Sequence, residues 1–458
     1  MVCSACKISG ELPEGNLALP AIYRGSTESP SDSSGVAQLP AKSFFNDPVL
    51  LQLLDSAIAG NLDLQLAIKN IDQAALIFKQ SKLGNLPSVD LSLSASSVRQ
   101  SDNSLNGLNL NQFLGRKRVE DYTASANLSW EADIWGKIRS RKEAAYAEYL
   151  QSDEARKAIH TQLVATVSQG YYNLLSLDAQ AEIAKKNLAL NEKTLVIIKL
   201  QYTAGQVSAL AVEQAEAQRL TAAQLIPQFE QEILVQENGI SILTGKMPMK
   251  IVRPKDLEMI RFPSGLSAGL PSKLLQRRPD VRRAELEVMK SHAIVGINRA
   301  AMYPSLTITA QGGLNAFMAS NWFNVPASLF GSLFGGLSQP LFQRKSLKTQ
   351  FEISKIDRDK SVIEFRQQVL KAVGEVSDAL VKIQKLDEQQ SFASNRALVL
   401  NKATVNADML FKNGMANYLE VISAQSNALK TELELALIEK DRLYAVVELY
   451  RSTGGGWQ

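Results

Sequence analysis

Residues 86–96 read LPSVDLSLSAS, and the fold depends on a change of period within this stretch. Upstream, apolar residues recur at helical spacing from Asp47, with Pro48 in the first helical position, to about Lys82. Downstream of Pro87, apolar residues alternate with polar ones, which is the period of a strand. Proline lacks a backbone donor and forces its predecessor out of the helical region. The stretch therefore predicts that a helix ends here and that a strand with two different faces begins.

A second alternating stretch follows after a polar segment, residues 101–118. Residues 122–131 place Tyr, Ala, Leu and Trp on one face and Thr, Ser, Asn and Glu on the other. Each strand is about ten residues long, which suits a tilted strand that crosses a bilayer. We therefore expect a β-hairpin over residues 87–131 with a long connecting loop.

A very long helix is predicted after this hairpin. From about Gly136 the pattern is helical for about 65 residues, or roughly 95 Å, which is too long for an ordinary globular helix. Its apolar seam has alternating spacings of three and four residues: Leu174, Leu177, Ala181, Ala184, Leu188, Asn191, Leu195 and Ile198. Such a seam is typical of a coiled coil. The pattern breaks between Tyr202 and Gly205, resumes by about Ala209 and ends near Gly245, so two antiparallel helices should meet at a tight turn.

The same order of elements then occurs a second time. A helical stretch from Asp280 ends at residues 303–311, YPSLTITAQ, which open a second hairpin over residues 304–341. Another very long helix follows and breaks between Phe411 and Gly414. Because Tyr202 and Phe411 each lie three residues before a glycine, we interpret the chain as a duplication of one unit.

The duplication divides the chain into four parts. Residues 1–46 are predicted to form an extended N-terminal arm and residues 47–250 the first repeat. Residues 251–269 then form a linker, and residues 270–458 form the second repeat. Each repeat contains a helix, a β-hairpin and a long helical pair, so the expected fold class is α+β with mostly helix.

Composition excludes several classes of function. The 50 basic and 46 acidic residues give a net charge of only +4, with no basic surface of the kind that binds nucleic acid. The sequence has no run of 18 or more consecutive apolar residues, so a membrane would have to be crossed by strands. We also find no G-x-G-x-x-G, P-loop or G-x-S-x-G motif, and His160 and His292 have no second metal ligand at helical spacing. We therefore expect no enzyme and no cofactor.

Four membrane strands require other copies of the chain. They cannot close into a barrel, and open edges in lipid would leave backbone groups unsatisfied. Two copies would give eight strands with a filled interior, whereas three copies would give twelve and leave room for water. The alternative is a scaffold of coiled-coil helices outside the membrane, in which the strands form an ordinary sheet.

Residues 270–281, LPSKLLQRRPDV, are similar to the segment that opens the second repeat in TolC-like outer-membrane efflux ducts. The resemblance covers roughly Asp47 to Arg451 and includes residues 243–248, LTGKMP, and the two glycine-containing helical turns. It implies a homotrimer with a twelve-stranded outer-membrane β-barrel, a long periplasmic α-helical barrel and a mixed equatorial belt. Its partners would be a periplasmic adaptor (membrane fusion protein), an inner-membrane resistance-nodulation-division pump and outer-membrane lipid. Four arginines in and after this motif are expected to be structural or to face the adaptor: Arg277, Arg278, Arg282 and Arg283.

The resemblance also assigns site residues. The helical turns at Tyr202, Gly205, Phe411 and Gly414 would lie at the periplasmic tip, and Pro87 and Pro304 would mark the helix-to-strand junctions. Leu419 matches an apolar ring position and Glu420 an acidic one, whereas Ser423 stands where the family often has aspartate. A ring of three carboxylates in a constriction would attract cations and sense pH.

The N-terminal cysteines suggest a lipid anchor. Small residues precede Cys6, as in a bacterial lipoprotein processing site, and pump-associated family members often carry such an anchor. The alternative is that Cys3 and Cys6 are exposed thiols on a flexible arm.

The function implied by the resemblance is passive export of drugs, detergents or metal ions through an outer-membrane channel. A polypeptide-secretion duct of the same family is the alternative.

Overall fold

The computed structural model describes residues 20, 22–25, 35–106, 108, 112, 115, 117–254, 262 and 268–457. Most of these residues are helical. In chain order the helices and strands are α1 (Ala41–Phe44), α2 (Pro48–Gly60), α3 (Leu62–Ser81), β1 (Ser88–Arg99), β2 (Arg118–Ala132), α4 (Lys137–Thr203), α5 (Ala209–Leu243), α6 (Pro271–Arg277), α7 (Pro279–Ala300), β3 (Ser305–Ala316), β4 (Leu329–Ser338), α8 (Ser346–Lys412) and α9 (Tyr418–Ser452).

The internal duplication is visible in the lengths of the elements. Helices α4 and α8 each have 67 residues, and α5 and α9 each have 35. Strands β1 and β3 each have 12 residues. At about 1.5 Å per residue, α4 and α8 are each roughly 100 Å long. The structure therefore confirms the two very long helices and the breaks that follow them.

The predicted first helix is divided in two, which the sequence pattern did not indicate. Asn61 interrupts it with an extended backbone, and its side chain accepts a hydrogen bond from the Leu64 N–H at 3.0 Å. The Asn61 Nδ2 also donates to the Leu243 carbonyl at 3.1 Å. Because this second bond joins residues far apart in sequence, the break depends on tertiary contact.

Two further boundaries differ from the prediction. Helix α6 occupies part of the motif 270–281, where no separate helix was expected. Strand β4 ends at Ser338 rather than at Leu341. Pro340 cannot donate to the ladder, and Leu341 is 92% exposed, so pairing stops before them.

The four strands form one antiparallel sheet in the order β1-β2-β3-β4. The central pairing joins the two repeats, because β2 lies beside β3 with Trp130 opposite Ile308. The helices adjoin the sheet at one end of its strands, where β1 and β3 begin and β2 and β4 end.

The chain divides into two compact units that do not coincide with the repeats. The first contains the sheet and combines Asp72–Leu150 with Glu285–Ile363. The second combines Asn16–Ile71, Gln151–Ala284 and Glu364–Gln458. Each unit therefore takes chain from both repeats.

The second unit has an aromatic core. Phe44 stacks on Tyr450 with ring centroids 4.2 Å apart, and Phe45 meets Tyr450 edge-on at 5.8 Å. The Tyr450 hydroxyl donates to the Leu39 carbonyl at 2.7 Å. Because the ring is buried, the pKa of Tyr450 is raised to about 12. These contacts join α1 to α9 and hold the segment before α2 in place.

Candidate functional site

One face of the four-stranded sheet is apolar except at its loop end, where the register adds Ser97, Arg99, Arg118 and Glu120. Residues directly opposite each other in antiparallel strands project to the same side of the sheet. The register places these residues on one side: Val89, Leu91, Leu93, Ala95, Tyr122, Ala124, Ala126, Leu128, Trp130, Ala132, Leu306, Ile308, Ala310, Gly312, Leu314, Ala316, Leu329, Gly331, Leu333, Gly335 and Leu337. Leu91 is 78% exposed and Leu333 74% exposed. An apolar surface that crosses four strands and is exposed in the single chain matches a lipid-facing surface.

The opposite face is polar and internally hydrogen-bonded. The hydroxyls of Ser92 and Ser125 lie 3.0 Å apart, and the Gln311 Nε2 donates to the Ser125 hydroxyl at 3.1 Å. Phe330 and Phe334 are aromatic exceptions on this face, as their register positions require. A polar face behind an apolar one is the pattern of strands that separate lipid from a water-filled interior.

Both edges of the sheet are open within the described part of the chain. Strand β1 pairs only with β2, and β4 pairs only with β3. Unpaired N–H and C=O groups at such edges cannot be satisfied in lipid. A single chain therefore cannot form a complete membrane structure.

The helix-to-strand junctions lie where the prolines predict them. Pro87 immediately precedes β1, and Pro304 immediately precedes β3. Each junction is also fixed by an indole that the sequence analysis did not identify. The Trp130 Nε1 donates to the Asn85 carbonyl at 2.8 Å, and the Trp135 Nε1 donates to the Pro304 carbonyl at 2.7 Å. The tryptophans therefore hold the chain where it changes from helix to strand.

The two predicted turns end the long helices in the same way. Gly205 has φ of +70° and Gly414 has φ of +73°, in the left-handed region that favours glycine. The Gly205 N–H donates to the Tyr202 carbonyl at 2.9 Å, and the Gly414 N–H donates to the Phe411 carbonyl at 3.0 Å. Each glycine thus closes a helix C-terminus and reverses the chain.

The two turns lie in one apolar cluster, but their equivalent aromatic residues differ. Phe411 is only 3% exposed and packs with Leu195, Ile198 and Val421, so α4, α8 and α9 all contribute. Tyr202, its counterpart in the first repeat, is 50% exposed. Phe411 therefore packs in the core of the turn region, whereas the Tyr202 ring is half exposed.

The candidate constriction residues lie in the first two turns of α9. Asn417 caps this helix by accepting a hydrogen bond from the Glu420 N–H at 3.1 Å. Leu419 is 50% exposed, and Glu420 and Ser423 are also exposed. Near the N-terminus of a helix the carboxylate of Glu420 is stabilised by the helix dipole. The three side chains therefore remain on the surface of the single chain.

A buried polar contact near these residues was not predicted. The Gln425 Nε2 donates to the Thr194 hydroxyl at 2.9 Å, and the two residues are 0% and 4% exposed. The Gln425 Oε1 has no hydrogen-bond partner in the described part of the chain. The helical spacing of Val421, Gln425 and Ala428 could have indicated that this amide lies on the buried side of α9.

Arg278, in the motif 270–281, is a structural residue. It is only 3% exposed and donates to Asp280 at 2.9 and 2.5 Å and to Glu375 at 2.8 Å. Burial acts to lower the pKa of Arg278, but the hydrogen bonds and charge of Asp280 outweigh it and raise the pKa. Burial likewise acts to raise the pKa of Asp280, but Arg278 holds it below its usual value. The motif therefore anchors the start of α7.

The described residues add two observations on membrane and metal binding. None of their helices has a stretch that is long and apolar enough to cross a membrane. They also contain no cluster of His, Cys, Asp and Glu side chains that could hold a metal ion. The predicted lipidation site, Cys6, lies outside the described residues.

Solved structures share this fold. The outer-membrane channel OprN superimposes with a TM-score of 0.87 at 24% identity and covers 98% of each chain. The structure of CusC has a TM-score of 0.80 at 26% identity and covers 96% of this chain and 98% of CusC. The observed architecture is therefore that of the TolC-like channels.

Curated sequences give the same result. The cation efflux system protein CusC of Escherichia coli O6:H1 is 27% identical over 426 residues, which are 91% of this chain and 88% of CusC. The toluene efflux pump outer membrane protein TtgC of Pseudomonas putida is 29% identical over 447 residues, which are 95% of this chain and 89% of TtgC. The model of the outer membrane efflux protein family matches residues 53–246 and 270–455, one stretch in each repeat. The chain belongs to the outer membrane efflux protein family.

Proposed function

We propose that this protein is the outer-membrane exit duct of a tripartite efflux pump and that it conducts small molecules passively from the periplasm to the exterior. The observation that carries the proposal is the sheet with one apolar face, one polar face and two open edges. Membership of the family supports it. The names of the relatives refer to cations and toluene, so the proposed substrates are small molecules rather than polypeptides.

The open edges require a homo-oligomer, and we propose a trimer. Pairing β1 of one chain with β4 of the next would satisfy the free backbone groups. Three copies of the four-stranded sheet would give twelve strands, with room for water inside. The polar face would then line the interior and the apolar face would contact outer-membrane lipid.

The helical turns are the proposed docking region for a periplasmic adaptor and, through it, an inner-membrane pump. Several apolar side chains here are exposed: Tyr202 at 50%, Leu210 at 55% and Met415 at 74%. Exposed apolar groups around a turn are favourable contacts for another protein. For the N-terminus we propose that Cys6 carries a lipid anchor, which would assist membrane attachment.

We further propose that Leu419, Glu420 and Ser423 form the constriction of the assembled duct. Three copies of Glu420 would bring three carboxylates together, and their combined negative charge would attract cations into the opening. Ser423 supplies only a hydroxyl, so a second acidic ring is absent from this position.

Single-channel recording in planar bilayers tests the function and the constriction together. Detergent-purified oligomers should give stable conductance with a preference for cations, measured as the reversal potential in a salt gradient. Glu420→Gln should reduce this preference, and Ser423→Asp should increase it. Glu432→Gln is the matched control, because Glu432 lies further along α9, accepts a hydrogen bond from Asn401 at 2.9 Å and should leave selectivity unchanged.

Two outcomes would count against the proposal. Absence of any stable conductance from the native oligomer would refute the duct and favour a scaffold. Unchanged selectivity in both constriction variants of a conducting oligomer would refute the assignment of these residues but leave the duct intact.

A further inference from the structure

Two short segments share an unusual composition, and both lie at the end of the strands where the helices adjoin the sheet. Residues 134–142 read IWGKIRSRK after β2, and residues 341–348 read LFQRKSLK after β4. Each begins with two large apolar residues, continues with basic residues and contains no carboxylate. Both repeats thus place the same kind of segment at the same end of the strands. We name the two segments the junction segments.

Three of the six apolar residues of the junction segments are exposed, whereas Ile138 is buried and Trp135 and Leu347 are half-buried. Leu341 is 92% exposed, Phe342 87% and Ile134 43%. Trp135 is partly covered, because it stacks on Tyr303 with ring centroids 4.8 Å apart. Leu341 lies four residues after Leu337, the last β4 residue on the apolar face, so exposed apolar side chains also occur just beyond the end of the strands.

The basic residues of the junction segments are mostly unpaired. Lys137 forms an ion pair with Glu131 at 2.8 Å. The other six cations are exposed and form no ion pair within the described residues: Arg139, Arg141, Lys142, Arg344, Lys345 and Lys348. Two carboxylates border the first segment: Asp133 accepts hydrogen bonds from the backbone N–H groups of Ile138 and Arg139 at 2.9 and 3.0 Å, and Glu143 forms no ion pair within the described residues. The segments therefore present a positive charge that the chain itself does not neutralise.

Exposed apolar side chains beside unpaired cations match one environment in particular. At the boundary between acyl chains and headgroups, apolar and aromatic side chains are buried while nearby cations reach phosphate groups. An acidic protein surface would also attract the cations. It would not explain why exposed apolar side chains accompany the cations at the end of strands that carry an apolar face.

We propose that the junction segments bind anionic phospholipid headgroups in the membrane leaflet nearest the helices. Ile134, Leu341 and Phe342 insert among the acyl chains, and the six unpaired cations contact the phosphates. This inference rests on the proposed function, because it requires that the sheet spans the outer membrane. It adds a lipid specificity and a fixed depth for the sheet in the bilayer.

The test measures the lipid that remains bound to the full-length oligomer. The protein is reconstituted in equimolar phosphatidylglycerol and phosphatidylethanolamine, re-extracted in mild detergent and analysed by mass spectrometry. We expect phosphatidylglycerol to be enriched about threefold or more in the native protein. The enrichment should disappear in a variant in which the six cations are replaced by glutamine.

A matched control removes charge from the same helix at other positions. Lys355, Lys360 and Lys385 lie further along α8 and pair with Glu352, Asp357 and Glu388 at 2.9, 3.2 and 2.8 Å. The triple glutamine variant of these lysines should retain the native enrichment. A variant that neutralises only Arg344, Lys345 and Lys348 has the same number of changes and should lose about half of it.

The outcomes separate this inference from the proposed function. Equal retention of phosphatidylglycerol by the native protein and the six-residue variant, both conducting in bilayers, would overturn the lipid site but not the duct. Loss of export in cells by that variant without any change in bound lipid would overturn it in favour of an acidic protein partner. Absence of conductance from the native protein would instead refute the duct.

Discussion

Gly245, which follows α5, lies against Gly60 at the end of α2, and substitution by alanine tests how closely the two are packed. Its φ is +69°, and a Cβ added there would clash with the backbone of Gly60, at the end of α2. Gly205 has nearly the same φ, +70°, but a Cβ added there would meet nothing within 4 Å. The two glycines therefore have the same backbone requirement in different surroundings.

The expected magnitudes follow from these two differences. Alanine in the left-handed region costs about 1–2 kcal/mol, from which about 0.4–1 kcal/mol is recovered through the less flexible unfolded chain. Gly205→Ala should therefore destabilise by about 1 kcal/mol. Gly245→Ala adds overpacking of about 1–3 kcal/mol, so it should destabilise by roughly 2–4 kcal/mol in all.

Gly60→Ala separates the steric contribution from the backbone contribution. Gly60 lies within α2 and has no positive φ, but a Cβ there would clash with the Thr244 carbonyl. Overpacking of about 1–3 kcal/mol, less the same recovery of about 0.4–1 kcal/mol, should leave a cost of up to about 2.5 kcal/mol. The assay is thermal or guanidinium unfolding in detergent, followed by helical circular dichroism and compared as midpoints. Equal midpoints for Gly245→Ala and Gly205→Ala would refute close packing of these turns.

The remaining predictions concern buried polar groups. Arg278→Met should destabilise by about 1.5–3 kcal/mol, because Asp280 loses its charged hydrogen-bond partner while Glu375 keeps Arg451 at 3.0 Å. Arg283→Met, at an exposed position, should change the free energy of unfolding by less than about 0.5 kcal/mol. Because the pKa of Asp280 is lowered on folding, its contribution is present above its usual pKa of 3.8 and is lost as pH falls below that value. Asp280→Asn should therefore flatten the acid limb of the stability profile, and an unchanged limb would contradict this account. Tyr171→Phe removes a 2.6 Å hydrogen bond to Asp47, the cap of α2, and should cost about 1 kcal/mol in the same unfolding assay.

Periodicity determined most of the elements. The sequence predicts the change from helix to strand at Pro87, its repetition at Pro304 and the 3,4 seam of α4. These features can be predicted because they depend on interactions between near neighbours in the chain. The turns at Gly205 and Gly414 can be predicted for the same reason, because a positive φ is a local requirement. The seam prediction also correctly placed Leu174, Ala184 and Ile198 in buried positions.

Features that depend on residues distant in the chain could not be predicted from the sequence. The break at Asn61 requires the Leu243 carbonyl, and the indole of Trp135 requires the Pro304 carbonyl. Gln425 could be placed on a helix face but not opposite Thr194, because helical spacing does not say which helix lies alongside. Burial also differed between equivalent positions, with Phe411 in the core and Tyr202 exposed.

The sequence by itself determined that the chain is a duplicated unit of long helices and two-faced strands, since side-chain period follows from backbone geometry. Only the tertiary structure decided that the two hairpins pair through β2 and β3. That pairing makes one continuous apolar face and leaves both outer edges open. Strand order and register are set by contacts between residues far apart in the chain, such as Trp130 and Ile308, and no local pattern encodes them.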